Sequence, residues 1–210
     1  NAVTLDAVAQ LGPQARGIAV VHPDVTDAEI KRLDAGGMRG IRFTQFDPRT
    51  AVTTLDMIEP LAKRMPDHGW HVQIHLRADQ IVAAADMLLR LPGTLVFDHL
   101  GRLPTATGVN DPAFAILRRL IDRGHTWVKL SGAYMMGAPP AYAEAGAVAR
   151  AYVAAAPERM VWGSDWPHPT ENEKPDDAVL FDLLSVWAPS ETTRNKILVD
   201  NPATLYGFPT

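Results

Sequence analysis

Short apolar runs rich in β-branched and aromatic residues alternate along this chain with longer stretches in which Leu, Ile, Met or Ala return at helical spacing. The short runs predict strands over 17–21, 39–43, 71–76, 94–97, 126–130 and 160–163. The longer stretches predict helices over 27–35, 53–64, 79–91, 111–123 and 141–155. Thr26, Asp79 and Asp111 stand where N-caps or first-turn acids belong, and Pro112 suits a first helical position. Gly36, Gly69, Gly93 and Gly124 stand where helices stop. Strands that are apolar on both faces and separated by helices predict a parallel α/β sheet rather than a sandwich.

Six strands in 210 residues allot about 35 residues to each β/α unit, close to the ratio of a (β/α)8 barrel of roughly 250 residues. An open doubly wound sheet fits the same count. The ionisable residues favour the barrel, because most strands discharge a polar group at the C-terminal end. His22 follows the first strand, Arg42 lies late in the second, and His75 lies late in the third. Asp98 and His99 follow the fourth, Ser131 the fifth and Asp165 the sixth. A ring of such groups is the catalytic face of a barrel. Six strands do not close one, so the expected fold is an α/β (β/α)8 TIM barrel, read as a single domain over 1–210 that lacks its first two β/α units. The absence of an initiator Met fits a start inside a longer chain.

Composition removes several function classes. Twenty Lys and Arg against 24 Asp and Glu leave a net charge of −4, so no diffuse basic field gathers nucleic acid. With no Cys there is no disulfide scaffold, thiol nucleophile or thiolate metal site. No apolar run approaches the roughly 18 residues of a membrane span, since Arg150 interrupts the Ala-rich stretch 145–156. The first residues carry no basic segment followed by an apolar one, which argues against a signal peptide and for a cytoplasmic location.

Among the seven His residues, His71 and His125 open their strands and His68 ends a helix, positions that serve stability more than chemistry. His22 precedes Pro23 in a turn, where a local backbone bond accounts for it as well as function does. His75 and His99 are better placed, and they converge with Asp165 at the last strand. The segment 161–168 sets Asp165 between Trp162 and Trp166. Its carboxylate suits a general base on water or a metal ligand, against the plainer reading of a loop cap. Arg39, Arg42 and Arg49 cluster around the second strand, and Arg102 follows His99. Arginine forks bind carboxylates, so Arg42 and Arg102 above all point to an anionic substrate. Surface ion pairing explains Arg39 better and Arg49 equally well. No glycine-rich phosphate loop of either familiar spacing occurs.

Five segments in series carry a resemblance: Gly-Met-Arg-Gly-Ile-Arg-Phe (37–43), Phe-Asp-His-Leu-Gly-Arg (97–102), Val-Lys-Leu-Ser-Gly-Ala-Tyr (128–134), Trp-Gly-Ser-Asp-Trp-Pro-His-Pro (162–169) and Leu-Val-Asp-Asn-Pro-Ala-Thr-Leu-Tyr (198–206). Together with Lys-Pro-Asp-Asp at 174–177, they resemble the amidohydrolase-related TIM-barrel hydrolases. The nearest likeness is to the 2-pyrone-4,6-dicarboxylate lactonase group and its relatives acting on sugar-acid and sulfonated lactones. The resemblance implies that Asp165 activates the hydrolytic water and that His99 lies against the scissile carbonyl oxygen. It implies substrate-binding roles for Arg42, Arg102 and, with a one-residue offset, Arg49. His75 stands where that lactonase has Tyr, and Tyr134 roughly where it has Arg; with Ser131 they complete the expected substrate shell. The resemblance implies no required metal. Were a divalent cation such as zinc bound, its ligands would be His75, His99 and Asp165.

The expected activity is therefore opening of a small carboxylated lactone by a carboxylic ester hydrolase, with the lactone as partner and a homo-oligomer as a further expectation. A lactone isomerase of galactarolactone type is the enzymatic alternative. A metal-dependent decarboxylase is a weaker one, because its usual ligand pattern is incomplete. The non-enzymatic alternative is an inactive or partner-completed binding module, since six of eight units leave apolar strand edges open.

Overall fold

Thr26 sets where the first of the anticipated helices begins. Its side chain accepts the Glu29 N–H, and α2 (Asp27–Ala35) runs from there to Gly36. The same chemistry starts α6 (Pro112–Asp122), where Asp111 accepts from the Ala113 N–H and Pro112 fills the first helical position. The computed structural model describes residues 1–47 and 49–208. It contains the strands β1 (Gly17–Ala19), β2 (Met38–Thr44), β3 (His71–His75), β4 (Leu95–Phe97), β5 (Thr126–Leu130) and β6 (Met160–Trp162). All neighbours pair in parallel and in chain order, and the sheet curls into a partial barrel with helices around it. A doubly wound sheet reverses its strand order at a switch point. This sheet does not reverse, so the barrel-type reading of the α/β class prevails.

The other helices are α1 (Ala2–Leu11), α3 (Ile58–Ala62), α4 (Ala78–Ala83), α5 (Ala85–Arg90), α7 (Ala143–Ala155), α8 (Asp177–Trp187), α9 (Glu191–Asn195) and α10 (Asn201–Tyr206). Two expected helices are broken. The stretch 53–64 divides into a 3-10 turn at Leu55–Met57 followed by α3, whose Pro60 supplies no N–H in the first turn. The stretch 79–91 divides into α4 and α5 at Ala84, whose ψ of 6° ends the first helix. Asp79 lies in the first turn of α4, while Arg77 takes the N-cap position and its N–H donates to Gln80 Oε1 at 2.8 Å.

The expectation of strands apolar on both faces needs correction. On the convex side Ile41, Phe43, Ile74, Phe97, Val128 and Leu130 join one large core with Ile30, Leu33, Leu61, Ile81, Leu117 and Tyr152 from the helices. The concave side is mixed. Register places Arg42 beside Gln73, Gln73 beside Val96, Val96 beside Trp127, and Lys129 beside Val161. Val96, Trp127 and Val161 make a small apolar floor under Leu205 of α10. Polar side chains, Arg42, Gln73 and Lys129 among them, share this concave face. No helix among the described residues is long and apolar enough to cross a membrane.

Candidate active site

The β3–β4 ladder continues one residue beyond β4: the Asp98 N–H donates to Ile74 O at 3.0 Å, which pins Asp98 to the concave face. The chain then turns sharply. His99, Leu100 and Arg102 take φ values of 49°, 57° and 50°, and after β6 Asp165 and His168 take 66° and 53°. Such left-handed backbone costs a non-glycine residue about 1–3 kcal/mol and persists only where surrounding contacts enforce it. Here it aims His99 and Asp165 across the mouth of the sheet.

Arg42, His99, Ser131 and Asp165 line one cavity of about 270 Å³ together with Gln73, Asp98, Lys129, Trp162 and Tyr206. His99 Nδ1 lies 3.0 Å from Ser131 Oγ, and its Nε2 lies 3.9 Å from Asp165 Oδ1. The second Asp165 oxygen accepts from Tyr134 Oη at 2.6 Å. Gly132, next to Ser131, has φ of +68°, and a Cβ there would meet His99 Cβ and Nδ1 at 3.1 Å. Glycine thus permits both the turn and the close approach of the imidazole.

His75 packs edge-on to His99 with ring centroids 4.7 Å apart and stacks on Phe46 at 5.5 Å. Neither of its ring nitrogens has a partner among the described residues. Burial pushes the His75 imidazole down to about 3. Burial also holds His99 below its ordinary value, against the pull of Asp98 and Asp165. Both rings are therefore neutral at neutral pH.

Asp98 is the most heavily engaged group of the site. Its Oδ2 accepts from Arg42 Nε and from Gln73 Nε2, each at 3.0 Å, and its Oδ1 lies 3.3 Å from Lys129 Nζ. Burial alone would raise this carboxyl, but Lys129 and Arg42, helped by His99 and Gln73, hold it well below the usual carboxylate range. Burial likewise opposes the Lys129 charge, and Asp98 overrides that opposition, leaving the ammonium more firmly protonated than an ordinary lysine.

The remaining anticipated residues lie outside this cavity. Tyr134 serves Asp165. Arg102 lies over the Phe46 ring at 3.9 Å and lines a neighbouring cavity of about 280 Å³ with Arg77. Arg49 departs from expectation: its side chain is 88% exposed and pairs with Asp47 at 2.8 Å. The turn after β2 carries it out to solvent and leaves Arg42 as the arginine of that segment in the cavity. His22 is exposed, His68 faces Asp27 at 3.9 Å, and His71 is buried against Tyr206; none of the three lines the cavity.

A divalent cation fits these residues poorly. Among the described residues the three donors that come within 4.8 Å of one another are His75, Asp98 and His99, so the expected trio with Asp165 is not assembled. Asp98 already faces two cations. A dication bound to it would sit within about 5 Å of each, at an electrostatic cost of about 7 kcal/mol apiece for an effective dielectric near 20. His75 and His99 alone fall short of the three protein ligands of a catalytic zinc.

Gln73, Lys129 and Phe46 were not anticipated as site residues, and Asp98 was seen only as a strand-end group. The signal for two of them is in the sequence. Within β3, His71, Gln73 and His75 alternate with Val72 and Ile74, and in β5 Lys129 sits between Val128 and Leu130. Polar residues at period two mark one polar face of a strand. His168 was also unanticipated: it is buried edge-on to Tyr134 at 5.2 Å, with Nε2 3.0 Å from Asp177 Oδ1.

Known proteins resemble this chain in sequence and fold. A 4-sulfomuconolactone hydrolase from Rhizobium radiobacter is 38% identical over 99% of this chain and 71% of its own length. A 2-pyrone-4,6-dicarboxylate hydrolase from Comamonas testosteroni is 35% identical over 98% of this chain and 71% of its own. A D-galactarolactone isomerase from Agrobacterium fabrum is 33% identical over 98% and 71%. A zinc-bound amidohydrolase from Burkholderia multivorans shares the fold with a TM-score of 0.76 at 21% identity, covering 99% of this chain and 78% of its own. The sequence pattern of the amidohydrolases matches residues 1–208, and with these relatives it establishes that the chain belongs to the amidohydrolase family.

Proposed function

We propose that this chain is a lactone hydrolase acting on a small carboxylated ring, of the kind named by its 2-pyrone-4,6-dicarboxylate and 4-sulfomuconolactone relatives. The observation that carries the reading is the 3.9 Å separation of Asp165 Oδ1 and His99 Nε2 in a cavity that also holds Arg42. Asp165 takes a proton from water, and the hydroxide adds to the lactone carbonyl carbon. When the Ser131 hydroxyl donates to Nδ1, the imidazole proton sits on Nε2, where it meets the negative charge developing on the carbonyl oxygen. The ring C–O bond then breaks, and the departing oxygen recovers the proton held by Asp165. The new carboxylic acid ionises, so each turnover releases one proton. Arg42 holds a substrate carboxylate beside the reacting carbon, and Arg102 over Phe46 serves a second carboxylate. No step needs a metal.

Continuous proton release with 2-pyrone-4,6-dicarboxylate, galactarolactone and an uncharged aldonolactone, each with and without chelator, tests the reading. Chelator-resistant acid release from a dicarboxylated lactone is the expected result. Silence across the panel, with galactarolactone changing by NMR, selects isomerisation, the reading favoured by the galactarolactone isomerase relative. The assay uses the 210-residue chain and the same chain extended by any upstream coding sequence. The open outer edges of β1 and β6 support the finer proposal that two more β/α units complete the barrel. A cytoplasmic location and a homo-oligomer belong to the same proposal.

A further inference from the structure

Lys129 stands mid-strand in β5, on the concave face, where a buried parallel strand ordinarily carries Val or Ile. Its charge is held there by Asp98 alone among the acids of the site, at 3.3 Å. Asp98 is in turn shared with Arg42, whose Nε and Nη2 both lie 3.0 Å from Oδ2. Arg42 thus spends one edge of its guanidinium on Asp98 and keeps Nη1 for another partner. An isolated Arg42–Asp98 pair would be neutral and would attract an anion weakly. With Lys129 the group Arg42–Asp98–Lys129 carries a net charge of +1. His75 and His99 beside it are neutral, and the one other charge lining the cavity is Asp165 on the far wall. The cavity is therefore polarised, with its cationic end at Arg42 and its anionic end at the residue that handles water.

We propose that Lys129 is a positioning residue that sets the charge of the anion subsite: by neutralising Asp98 it lets Arg42 hold a substrate carboxylate. This rests on reading the cavity as the substrate site. It predicts discrimination between anionic and neutral ligands of the same shape, with the carboxylated class favoured.

The test is calorimetric binding of isophthalate, an unreactive planar dicarboxylate, and of the uncharged isophthalamide, so that it does not depend on turnover. Lys129→Met is expected to weaken isophthalate roughly ten- to a hundredfold, the effect of one charge lost at several ångströms in a partly buried site, while isophthalamide changes less than about threefold. The double variant Lys129→Met/Asp98→Asn restores the net +1 and is expected to recover isophthalate binding to within about threefold of wild type. A merely structural lysine would leave the double variant as weak as the single one, which overturns the proposal. Equal weakening of both ligands, or no isophthalate binding by the wild-type chain, overturns it too. If Lys129→Met does not fold, Asp98→Asn and the double variant carry the comparison. With Asp98 gone Lys129 has no charge to neutralise, so removing it in the Asp98→Asn background should change isophthalate binding by less than about threefold, and a loss of about tenfold or more there refutes the idea. A wild-type chain that binds isophthalate with this charge dependence but opens no lactone would refute the proposed reaction and leave the anion subsite standing.

Discussion

Tyr134 Oη donates to Asp165 Oδ2 at 2.6 Å, and that bond makes the two carboxylate oxygens unlike. Oδ2 is fixed by the phenol, while Oδ1 faces His99 Nε2 at 3.9 Å, a gap suited to a reacting group rather than a direct bond. Burial and the bond to Asp165 both push the Tyr134 phenol up, so it stays a donor at any working pH. His168 braces the phenol ring edge-on at 5.2 Å and is itself held by Asp177. Asp165 sits in left-handed backbone with a side chain that needs this outside support to keep one orientation.

Removing the support should therefore damage turnover more than binding. Tyr134→Phe keeps the ring and deletes the donor. It is expected to lower kcat on a carboxylated lactone by roughly ten- to a hundredfold, because small misplacements of a reacting group cost that much, with KM within about threefold. Steady-state kinetics decides it: an unchanged kcat would mean that Asp165 is oriented by something else. Asp165→Asn should cost at least about a hundredfold in kcat and still bind isophthalate.

Arg42 and Arg49 lie seven positions apart in sequence, yet they face opposite environments. Arg42 lines the cavity on Asp98, and Arg49 is solvated on Asp47. Arg42→Ala should raise KM for a carboxylated lactone by at least about tenfold, whereas Arg49→Ala should leave kcat and KM within about twofold. Equal losses from the two substitutions would show that the turn after β2 closes over the substrate.

How much of this was legible beforehand depended on whether local chemistry or tertiary packing set the outcome. The bounds of α2 and β5 agree with expectation to the residue, because Thr26 and Gly36 punctuate one and turn residues flank the other. The end helices α1, α8, α9 and α10 were not anticipated. In α8 apolar residues point both ways, with Leu180 and Leu184 buried and Phe181 and Val186 exposed, so no single stripe announces it. Asp165, His99, Ser131 and Arg42 were legible because strand ends face one mouth in a barrel. Lys129 and Gln73 mark a polar strand face by their spacing, but what an interior polar group does there is set by its partner Asp98, from a different strand. Arg49 misled because sequence proximity to Arg42 says nothing of which way a loop turns.

Gly132 gives a stability prediction tied to the site. Its φ of +68° strains any other residue, and a Cβ would press on Met135 Sδ at 3.0 Å and on His99 at 3.1 Å. Gly132→Ala should destabilise the fold by about 1–3 kcal/mol and lower kcat as well, since the methyl group displaces the imidazole. Denaturant unfolding alongside kinetics checks both halves. A stable variant with full activity would show that the loop after β5 can rearrange at no cost.

His71 and His75 make the fold sensitive to mild acid. Both are buried, and burial chiefly pushes each imidazole down to about 3, against about 6.5 in an unfolded chain. Between those values the unfolded state binds protons that the folded state refuses, so stability is full above about pH 6.5 and falls as pH drops toward 3. Each histidine contributes a slope of about 1.4 kcal/mol per pH unit inside that window. Asp98, also depressed, adds its own loss only below the ordinary carboxylate range near pH 4, so urea midpoints taken from pH 7.5 to 4.5 isolate the histidines. His71 lies edge-on to Tyr206, its Nε2 has no partner among the described residues, and a phenyl ring there would lose one bond to the Arg39 backbone. His71→Phe should therefore fold and should reduce the slope by about one proton's worth. An unchanged slope would mean that His71 takes up its proton in the folded state, and that the concave face around it admits charge.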